Sequence, residues 1–307
     1  MKKWNIDFYG NRKLYFTITS ILLAIMLISS FVFGVELDIQ FKGGALITYS
    51  YNGEINRDEF QKTVESLLET STTIQETTDV VSGFNSFVVS IPSGGNINTE
   101  KQQEIYNALN EKFPNNSIET ASVNVVNPTI GSEFLAKSLV AVLSASLLMI
   151  LYISIRFKKI SGWSAGITAV VALINDVLMV FASFVIFNMP LNANFIAVCL
   201  TILGYSLNDT IVVYDRIREN KRITKDMPVE EMVNLSLNQS LTRTFMTSLT
   251  TITAMVTVSV IAVIYNVSSI LSFSLPMIVG MVSGFYTSMC IAPTLWVIWQ
   301  KKIEEKK

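Results

Sequence analysis

Histidine is absent from the 307-residue sequence, and cysteine and charged residues are scarce. Without histidine the chain has no Ser-His-Asp or Cys-His catalytic group, no HExxH zinc site and no imidazole pH switch. The two cysteines, Cys199 and Cys290, lie far apart in apolar runs and form no CxxC pair, so we interpret both as small buried residues. Glycine-rich GxxxxGK and GxGxxG phosphate motifs are also missing. We therefore expect no enzymatic activity, no metal site and no organic cofactor.

Apolar residues dominate what is present. Half of the residues (50%) are hydrophobic and only 15% are charged, against roughly 25% charged residues in soluble proteins. Several apolar runs reach the ~20 residues that a helix needs to cross a bilayer. The sequence therefore predicts an α-helical polytopic membrane protein with six transmembrane helices, at residues 14–35, 134–155, 163–187, 194–214, 245–265 and 270–299.

These spans divide the chain into three parts and orient it. The parts are residues 1–35, a domain over 36–133, and residues 134–307 with a loop at 215–244. With both termini in the cytoplasm, 17 of the 23 basic residues lie in cytoplasmic segments, whereas the domain has 14 acidic and five basic residues, a net charge of −9. Cytoplasmic loops carry an excess of Lys and Arg. We therefore expect cytoplasmic termini, an extracytoplasmic domain and a cytoplasmic 215–244 loop, whose acids favour a lipid or scaffold role over nucleic-acid binding.

The domain combines strand and helix patterns. Strands are predicted at residues 45–51, 72–81, 86–91 and 117–126, helices at 56–70 and 99–113, and a turn at Gly83. The order β-α-β-β-α-β is that of a ferredoxin-like α+β domain. Because the domain sequence shows no nucleophile-and-base pair and no cluster of metal ligands, we expect a docking domain.

The run GYSLNDTIVVYDRIREN (204–220) places an acid, Asp209, inside the fourth predicted span. A carboxylate at the bilayer centre costs about 2.5–3.5 kcal/mol, so such residues usually face a bundle interior or a wet cavity. Ser206, Asn208 and Thr210 accompany Asp209 and can hydrogen-bond across helices. Asp209 lies about 9 Å deeper than Asp215, because a helix rises ~1.5 Å per residue. That depth corresponds to the inner leaflet.

Further polar residues occur in the third and fifth spans. Asp176, preceded by Asn175, lies in the middle of the third span, and Arg243 is the only charged residue near the membrane at the start of the fifth. Hydroxyl-bearing and small residues, among them Thr247, then recur at helical spacing and would let a neighbouring helix approach closely.

Two membrane acids and one arginine allow two hypotheses. In the first they form a proton or ion path, in which a desolvated carboxylate gains and releases a proton as a permanently charged guanidinium moves relative to it. In the second they form a buried salt bridge or a structural polar contact. The spacing of Asp176, Asp209 and Arg243 leaves both hypotheses open.

The 204–220 run closely resembles the signature of the SecF family, the smaller membrane subunits of the bacterial SecDF protein-export accessory complex. The similarity extends to the six spans, the large domain after the first span, FKGG (41–44) and NQSLTRT (238–244). The glycines of these motifs are Gly43, Gly44 and Gly204.

The resemblance implies a resistance-nodulation-division type of fold in the bacterial cytoplasmic membrane. It further implies that the chain works with SecD, expected to be a separate protein, at the SecYEG channel, with a YidC-type insertase as another candidate partner. The proton or sodium motive force would then assist the export of unfolded preproteins. The implied ion-path residues are Asp209, Arg243 and Asp176; the candidate supporting polar residues are Asn208, Ser206, Asn175 and Thr247.

The sequence departs from the family pattern at three positions. Asn175 stands where many relatives have histidine, and Thr242 where some do, so neither histidine can be essential here. Gln40, in IQFKGG, occupies the place of the acid in the LDFTGG-like family stretch, and Asp38 lies two residues earlier. Whether Asp38 compensates for the missing acid is left open by the sequence.

Two other functions are weighed against this one. A small-molecule or lipid exporter of the same superfamily would need a second large outer loop and a twelve-span chain. A non-conducting structural subunit would hold SecD against the channel. The second alternative is distinguishable, because a scaffold should tolerate neutral isosteres of its membrane acids and a transporter should not.

Overall fold

The computed structural model describes residues 5–78, 85–92, 98–126, 128–224, 227–265 and 267–305. The predicted turn at Gly83 and the end of the predicted 72–81 strand lie outside these residues. Elements are numbered in chain order, helices α1 to α10 and strands β1 to β4.

The described residues contain six helices long and apolar enough to cross a membrane, as predicted. The first five are α1 (Arg12–Phe33), α5 (Pro128–Arg156), α6 (Gly162–Ile186), α7 (Ala193–Ile223) and α8 (Val229–Ile264). The sixth consists of α9 (Ser268–Tyr286), a π-helical turn (Thr287–Ile291) and α10 (Ala292–Glu304), which run on without a break.

Between α1 and α5 lies a smaller unit, which we call the sheet domain. Its elements are α2 (Ile39–Lys42), β1 (Gly44–Tyr51), α3 (Arg57–Leu68), β2 (Thr73–Thr78), β3 (Asn85–Pro92), α4 (Thr99–Lys112) and β4 (Glu119–Val126). The strands form one sheet in the order β2-β3-β1-β4, and all neighbours are antiparallel. Ile47 on β1, for example, pairs with Val89 on β3 and with Val123 on β4.

The core of the sheet domain lies between the sheet and its two long helices. Alternate residues of β1 and β3 are buried, as expected for strands covered on one face. They pack against buried apolar residues of α3 and α4, such as Phe60 and Ile105. Asn56 begins α3 by accepting hydrogen bonds from the backbone N–H groups of Asp58 and Glu59, which the helix itself leaves unpaired.

Helices α6 and α7 form the centre of the bundle, while α1 and α8 lie at its edge and are mostly exposed. Residues 5–9 and the end of α10 lie at the same end of the bundle, which we call the terminal end. There the backbone N–H groups of Ile6 and Tyr9 donate to the side chains of Asn238 and Asn234 on α8, and Lys301 on α10 pairs with Glu230. The sheet domain lies at the opposite end.

The 215–244 segment is helical for most of its length. α7 continues to Ile223, and α8 begins at Val229, directly after Pro228. Proline fits this position because the first helical residues need no intrahelical N–H donor. The part of this loop from Val229 onward is therefore joined to the fifth span in a single helix.

Residues 34–44, which end with the FKGG motif, connect α1 to the sheet, and we call this segment the joint. Asp38 begins α2 by accepting a hydrogen bond from the backbone N–H of Gln40 (2.9 Å). The chain then turns through Gly43 and Gly44, whose φ values of 76° and 140° favour glycine. A Cβ on Gly44 would lie 2.1 Å from the carbonyl oxygen of Ile91, so β1 and β3 could not approach this closely with a larger residue.

Replacing Asp38 by asparagine should stabilise the protein at neutral pH. Burial raises the pKa of the Asp38 carboxyl, despite the opposing effects of the Gln40 hydrogen bond and of Lys42. Folding therefore penalises the charged form, and asparagine keeps the oxygen that caps α2. The penalty is full above the raised pKa and is lost as the pH falls through that value toward the unfolded value of about 3.9. We expect the Tm of Asp38→Asn to exceed that of the wild type by a few degrees at about pH 7.5, and this gain to vanish near about pH 4. A lower Tm at neutral pH would contradict the prediction.

Candidate functional site

Asp176 is the centre of a buried polar cluster in the bundle. Its side chain, on α6, has 0% exposure. Ser206 on α7 donates to Oδ2 (2.7 Å) and Ser283 on α9 donates to Oδ1 (2.6 Å). The Thr287 hydroxyl lies 2.9 and 3.0 Å from the two oxygens. Hydroxyls from two neighbouring spans therefore surround one carboxyl group.

The π-helical turn brings a second layer of hydroxyls to this cluster. Ser288 hydrogen-bonds to the Thr210 hydroxyl (2.8 Å) and donates to the backbone carbonyl of Ser206 (3.1 Å). Pro293 follows the turn and has no N–H to offer to the α-helical pattern. π-Helical turns are rare and frequently occur at functional sites. Here the turn places both Thr287 and Ser288 against α6 and α7.

Close helix packing makes these contacts possible. A Cβ on Gly284 would lie 3.0 Å from Cβ of Ser206, and one on Gly280 would lie 2.6 Å from the Ile202 side chain. Any larger residue at either position would push α9 away from α7. The Gly280-x-x-x-Gly284 pair thus holds the hydroxyls of the sixth span near Asp176.

Asp209 lies apart from the Asp176 cluster, about one turn beyond Ser206 along α7. It is buried, with 2% exposure, and accepts a hydrogen bond from Ser248 on α8 (3.1 Å). Ser206 and Asp209 lie three residues apart and on one helix face, about 4.5 Å apart along the axis. The two acids are therefore neighbours in depth, and each has its own hydroxyl donors.

Two buried polar atoms near the acids have no hydrogen-bond partner among the described residues. They are Oδ1 of Asn175 and Oγ1 of Thr244. The amide nitrogen of Asn175 donates to Ser283 (3.4 Å), which links this residue to the Asp176 cluster. Buried polar groups are usually satisfied, so these two atoms mark spare hydrogen-bonding capacity in the bundle.

Arg243 lies outside the buried cluster, toward the terminal end. Its side chain is exposed, and within the described part of the chain it forms no salt bridge, with Asp209 or with any other acid. It lines a surface cleft of about 520 Å³ between α7 and α8, together with Asp215, Arg216 and Gln239. From Asp215 at this cleft to Ser206 beside Asp176, α7 covers about 13 Å.

The other predicted residues divide into three groups. Ser206 and Asn175 belong to the Asp176 cluster. Asn208, Gly204 and Thr247 lie on the exposed face of α7 and α8, on the side away from the cluster. Gly43 and Gly44 lie in the joint between α1 and the sheet domain, at the opposite end of the bundle from Arg243.

The hydroxyls of the sixth span, Ser283, Thr287 and Ser288, are not among the site residues predicted from the sequence. A signal for them does exist, because Gly280, Ser283, Gly284 and Thr287 recur at i, i+3 and i+4 and so share one helix face. Such patterns are common in membrane helices and identify a packing face without identifying the partner.

The polar groups of the cluster are the carboxyl group of Asp176, the hydroxyls around it and the Asn175 amide. Across the described residues, no three His, Cys, Asp or Glu side chains come together as metal ligands. A carboxyl group surrounded by hydroxyls can hold a proton, and hard oxygen ligands suit small cations.

Comparison with known proteins identifies the family. The family model described as "Protein export membrane protein SecD/SecF, C-terminal" matches residues 105–302. The chain belongs to this family. The match includes the third to sixth spans, and with them Asp176, Asp209 and Arg243.

Individual SecD/SecF relatives extend the similarity over the full chain. Protein translocase subunit SecF of Rhodothermus marinus is 34% identical, over 94% of this chain and 91% of its own length. Protein translocase subunit SecDF of Bacillus subtilis is 33% identical, over 97% of this chain but 38% of its own length. The crystal structure of SecDF from Thermus thermophilus, titled a translocon-associated membrane protein, superimposes with a TM-score of 0.81 at 28% identity. The chain spans 39% of that SecDF chain.

In this SecD/SecF family member, Thr287→Val should destabilise the bundle. Valine keeps the branched shape but removes the hydroxyl that contacts both oxygens of Asp176, and a hydrogen bond of this kind between membrane helices is worth about 0.6–2 kcal/mol. We expect a Tm several degrees lower in detergent. Thr257→Val is the matched control, because the Thr257 hydroxyl bonds only within α8 and its side chain is exposed. Equal effects of the two substitutions would contradict a specific contact with Asp176.

Proposed function

We propose that the chain is a SecF-type subunit of the bacterial protein translocase. Together with SecD, it uses the proton or sodium motive force to assist preprotein export through the SecYEG channel. It acts as a transporter subunit rather than as an enzyme, and the coupling ion is its cargo. Family membership supports the translocase role, and the buried acids of the bundle support the coupling.

The observation that carries the coupling is the pair of buried acids on adjacent central helices. Each carboxyl group costs several kcal/mol to place in an apolar bundle, and intramembrane ionisable residues therefore mark ion paths by default. A structural polar contact between α6 and α7 needs only hydroxyl or amide groups, which the cluster already supplies. Two acids at successive depths, Asp176 and Asp209, instead provide two successive sites for one proton or cation.

The position of Arg243 supports a gated path. The Arg243 guanidinium has no acid partner among the described residues and lines the cleft between α7 and α8. Of the two buried acids, Asp209 lies nearer to this cleft. A movement of α8 relative to α7 would change the distance between this permanent charge and Asp209 and so the affinity of the acid for a cation. One charge that crosses the full field gains about 2.3 kcal/mol per 100 mV, which can drive such a movement.

The orientation and the domain type follow from charge and topology. The terminal end carries most of the lysine and arginine, whereas the 36–133 segment has a net charge of −9, so we place both termini in the cytoplasm and the sheet domain outside it. The antiparallel β2-β3-β1-β4 sheet with two helices on one face supports a ferredoxin-like assignment.

The exposed face of α7 and α8 is the side that we assign to SecD. At membrane depth α7 exposes Gly204 and Asn208, and α8 exposes Thr247. Lipid offers no partner to these groups, whereas a second helical subunit does. About 60% of the length of each SecDF relative lies outside the part matched here, since the match covers 38–40% of it. A separate SecD would supply the equivalent part.

Asp209→Asn should abolish the export activity of the subunit without affecting its folding. Asparagine keeps the size of the side chain and the oxygen that Ser248 contacts, but it cannot carry the charge that an ion path needs. In cells depleted of the native subunit, we expect export of a secreted reporter to remain at the depleted level. Immunoblotting checks that the variant reaches the membrane in normal amounts.

Glu231→Gln, at the start of the neighbouring α8, is the matched control. Glu231 is exposed at the terminal end, forms no salt bridge among the described residues and does not line the Arg243 cleft, so its loss should leave export unchanged. Full export by Asp209→Asn would show instead that the acid is structural and that the chain is a non-conducting support for SecD.

Gly204→Leu should weaken association with SecD while leaving the fold intact. A Cβ at Gly204 meets no atom within 4 Å among the described residues outside its own helix, so the fold leaves room for a larger side chain that would instead obstruct a partner helix. We expect the amount of SecD that co-purifies to fall several-fold. Ala141→Leu, on the exposed face of α5, is the control and should have no effect. Normal co-purification with Gly204→Leu would place SecD on another face.

A further inference from the structure

The joint between α1 and the sheet domain is hydrogen-bonded to the segment that precedes α7. The backbone N–H of Leu191 donates to the Glu36 carbonyl (2.8 Å), and the N–H of Asp38 donates to the Leu191 carbonyl (2.9 Å). Leu37 and Leu191 thus form a parallel β-bridge outside the main sheet. The bridge connects the domain to a helix with which it is not contiguous in sequence.

Gln40 adds a side-chain contact to this bridge. Its Oε1 accepts a hydrogen bond from the backbone N–H of Ala193 (3.0 Å), the first residue of α7. The first N–H groups of a helix have no partner within the helix. Asn192 satisfies the next one, that of Asn194, from within the same segment. The N-terminus of α7 is therefore capped in part by a residue that belongs to the joint.

On its other side, the joint is fixed to the sheet domain. Gly44 packs directly on the backbone of Ile91, as described above. Phe41 stacks on Phe134 of α5, with 5.6 Å between ring centroids, and a Cβ on Gly131 would lie 2.9 Å from the Phe41 carbonyl oxygen. The short α2 helix is thus held by the sheet, by α5 and by the N-terminus of α7.

We propose that Gln40 is a positioning residue that fastens the sheet domain to α7, so that a displacement of α7 moves the domain. This inference rests on the proposed function, in which α7 carries an ion-path residue. From Ala193 to Asp209, α7 is one uninterrupted helix about 24 Å long. A helix of this length transmits an axial shift from the depth of Asp209 to the joint.

The fastening is needed because the covalent connections of the domain lead elsewhere. The domain is joined in sequence to α1 and α5, whose sides are largely exposed and which do not carry the buried acids. The amide of Gln40 does not titrate, so its contact with Ala193 is the same at any external pH. A carboxylate of the same reach would also accept the bond and is favoured at a helix N-terminus.

Gln40→Met and Gln40→Glu test the inference. Methionine has a similar length but no acceptor, so we expect several-fold lower export and faster amide hydrogen exchange at Asp38, Leu191 and Ala193. Glutamate keeps the acceptor and should retain near wild-type export and exchange. Gln103→Met is the matched control, since Gln103 is exposed on α4 and contacts only Asn107.

A disulfide across the bridge separates a coupling role from a merely structural one. The pair Leu37→Cys and Leu191→Cys, oxidised in the Gln40→Met background, should restore export, and reduction should remove the rescue. The native cysteines are buried and should not interfere. Wild-type export by Gln40→Met, slow export despite the disulfide, or loss of export when the disulfide forms in the wild-type background would each overturn the inference.

The Asp209→Asn strain, measured in parallel, keeps the two claims distinct. If Asp209→Asn exports normally while Gln40→Met does not, the proposed ion coupling is wrong and the fastening of domain to helix stands. If Asp209→Asn fails while Gln40→Met exports normally with faster exchange, the coupling stands and Gln40 has only a local role.

Discussion

A carboxyl group with no exposed surface, in a bundle of apolar helices, must obtain all its hydrogen bonds from the protein. The Asp176 side chain imposes this requirement on the centre of the fold. Three hydroxyls from α7 and the sixth span meet it, and they can do so only if these helices lie very close to α6. The glycines at the α7–α9 contact and the π-helical turn next to them are the features that bring the hydroxyls within reach.

The same requirement explains why polarity is distributed unevenly in the bundle. The buried acids Asp176 and Asp209 are paired with hydroxyls, whereas Asn208 and Thr247 on the outer face of α7 and α8 have no partner helix in the part of the chain that the structure describes. The exposed surfaces of α1 and α5 are by contrast mainly apolar and suit lipid. One subunit therefore has an interior whose acids are paired, a lipid-facing side and a side that suits a second protein.

The two ends of the bundle differ in how they are held. At the terminal end, asparagine side chains of α8 bind the backbone of the N-terminal segment. At the other end, backbone bonds and one glutamine join the sheet domain to α7. Both arrangements use uncharged amides, whose hydrogen bonds do not depend on pH within the range that cells encounter. Charged side chains are found instead at the buried acids, in the cleft and on the surface.

The number of spans, the charge segregation and the strands and helices of the domain were predictable because they depend on local sequence. Span length follows from the thickness of the bilayer, and periodicity of apolar residues indicates strands and helices directly. Asp176, Asp209 and Arg243 also stand out in sequence, because ionisable residues are rare in membrane spans. Their environments were not predictable, since Ser283, Thr287 and Ser288 are ordinary residues of an apolar helix until α9 packs on α6 and α7.

Sequence alone determined that this chain has six segments long and apolar enough to cross a membrane, carries one acidic domain and places two acids among apolar residues. Tertiary structure decided that Ser206 and Asn175 join Asp176 while Asn208 and Thr247 face outward, that Arg243 lies apart from Asp209, and that Gln40 caps α7. The physical reason is that hydrophobicity is additive along a chain and can be evaluated locally. A hydrogen bond between helices instead requires a particular rotation and separation of both helices, which only the packing of the whole bundle sets.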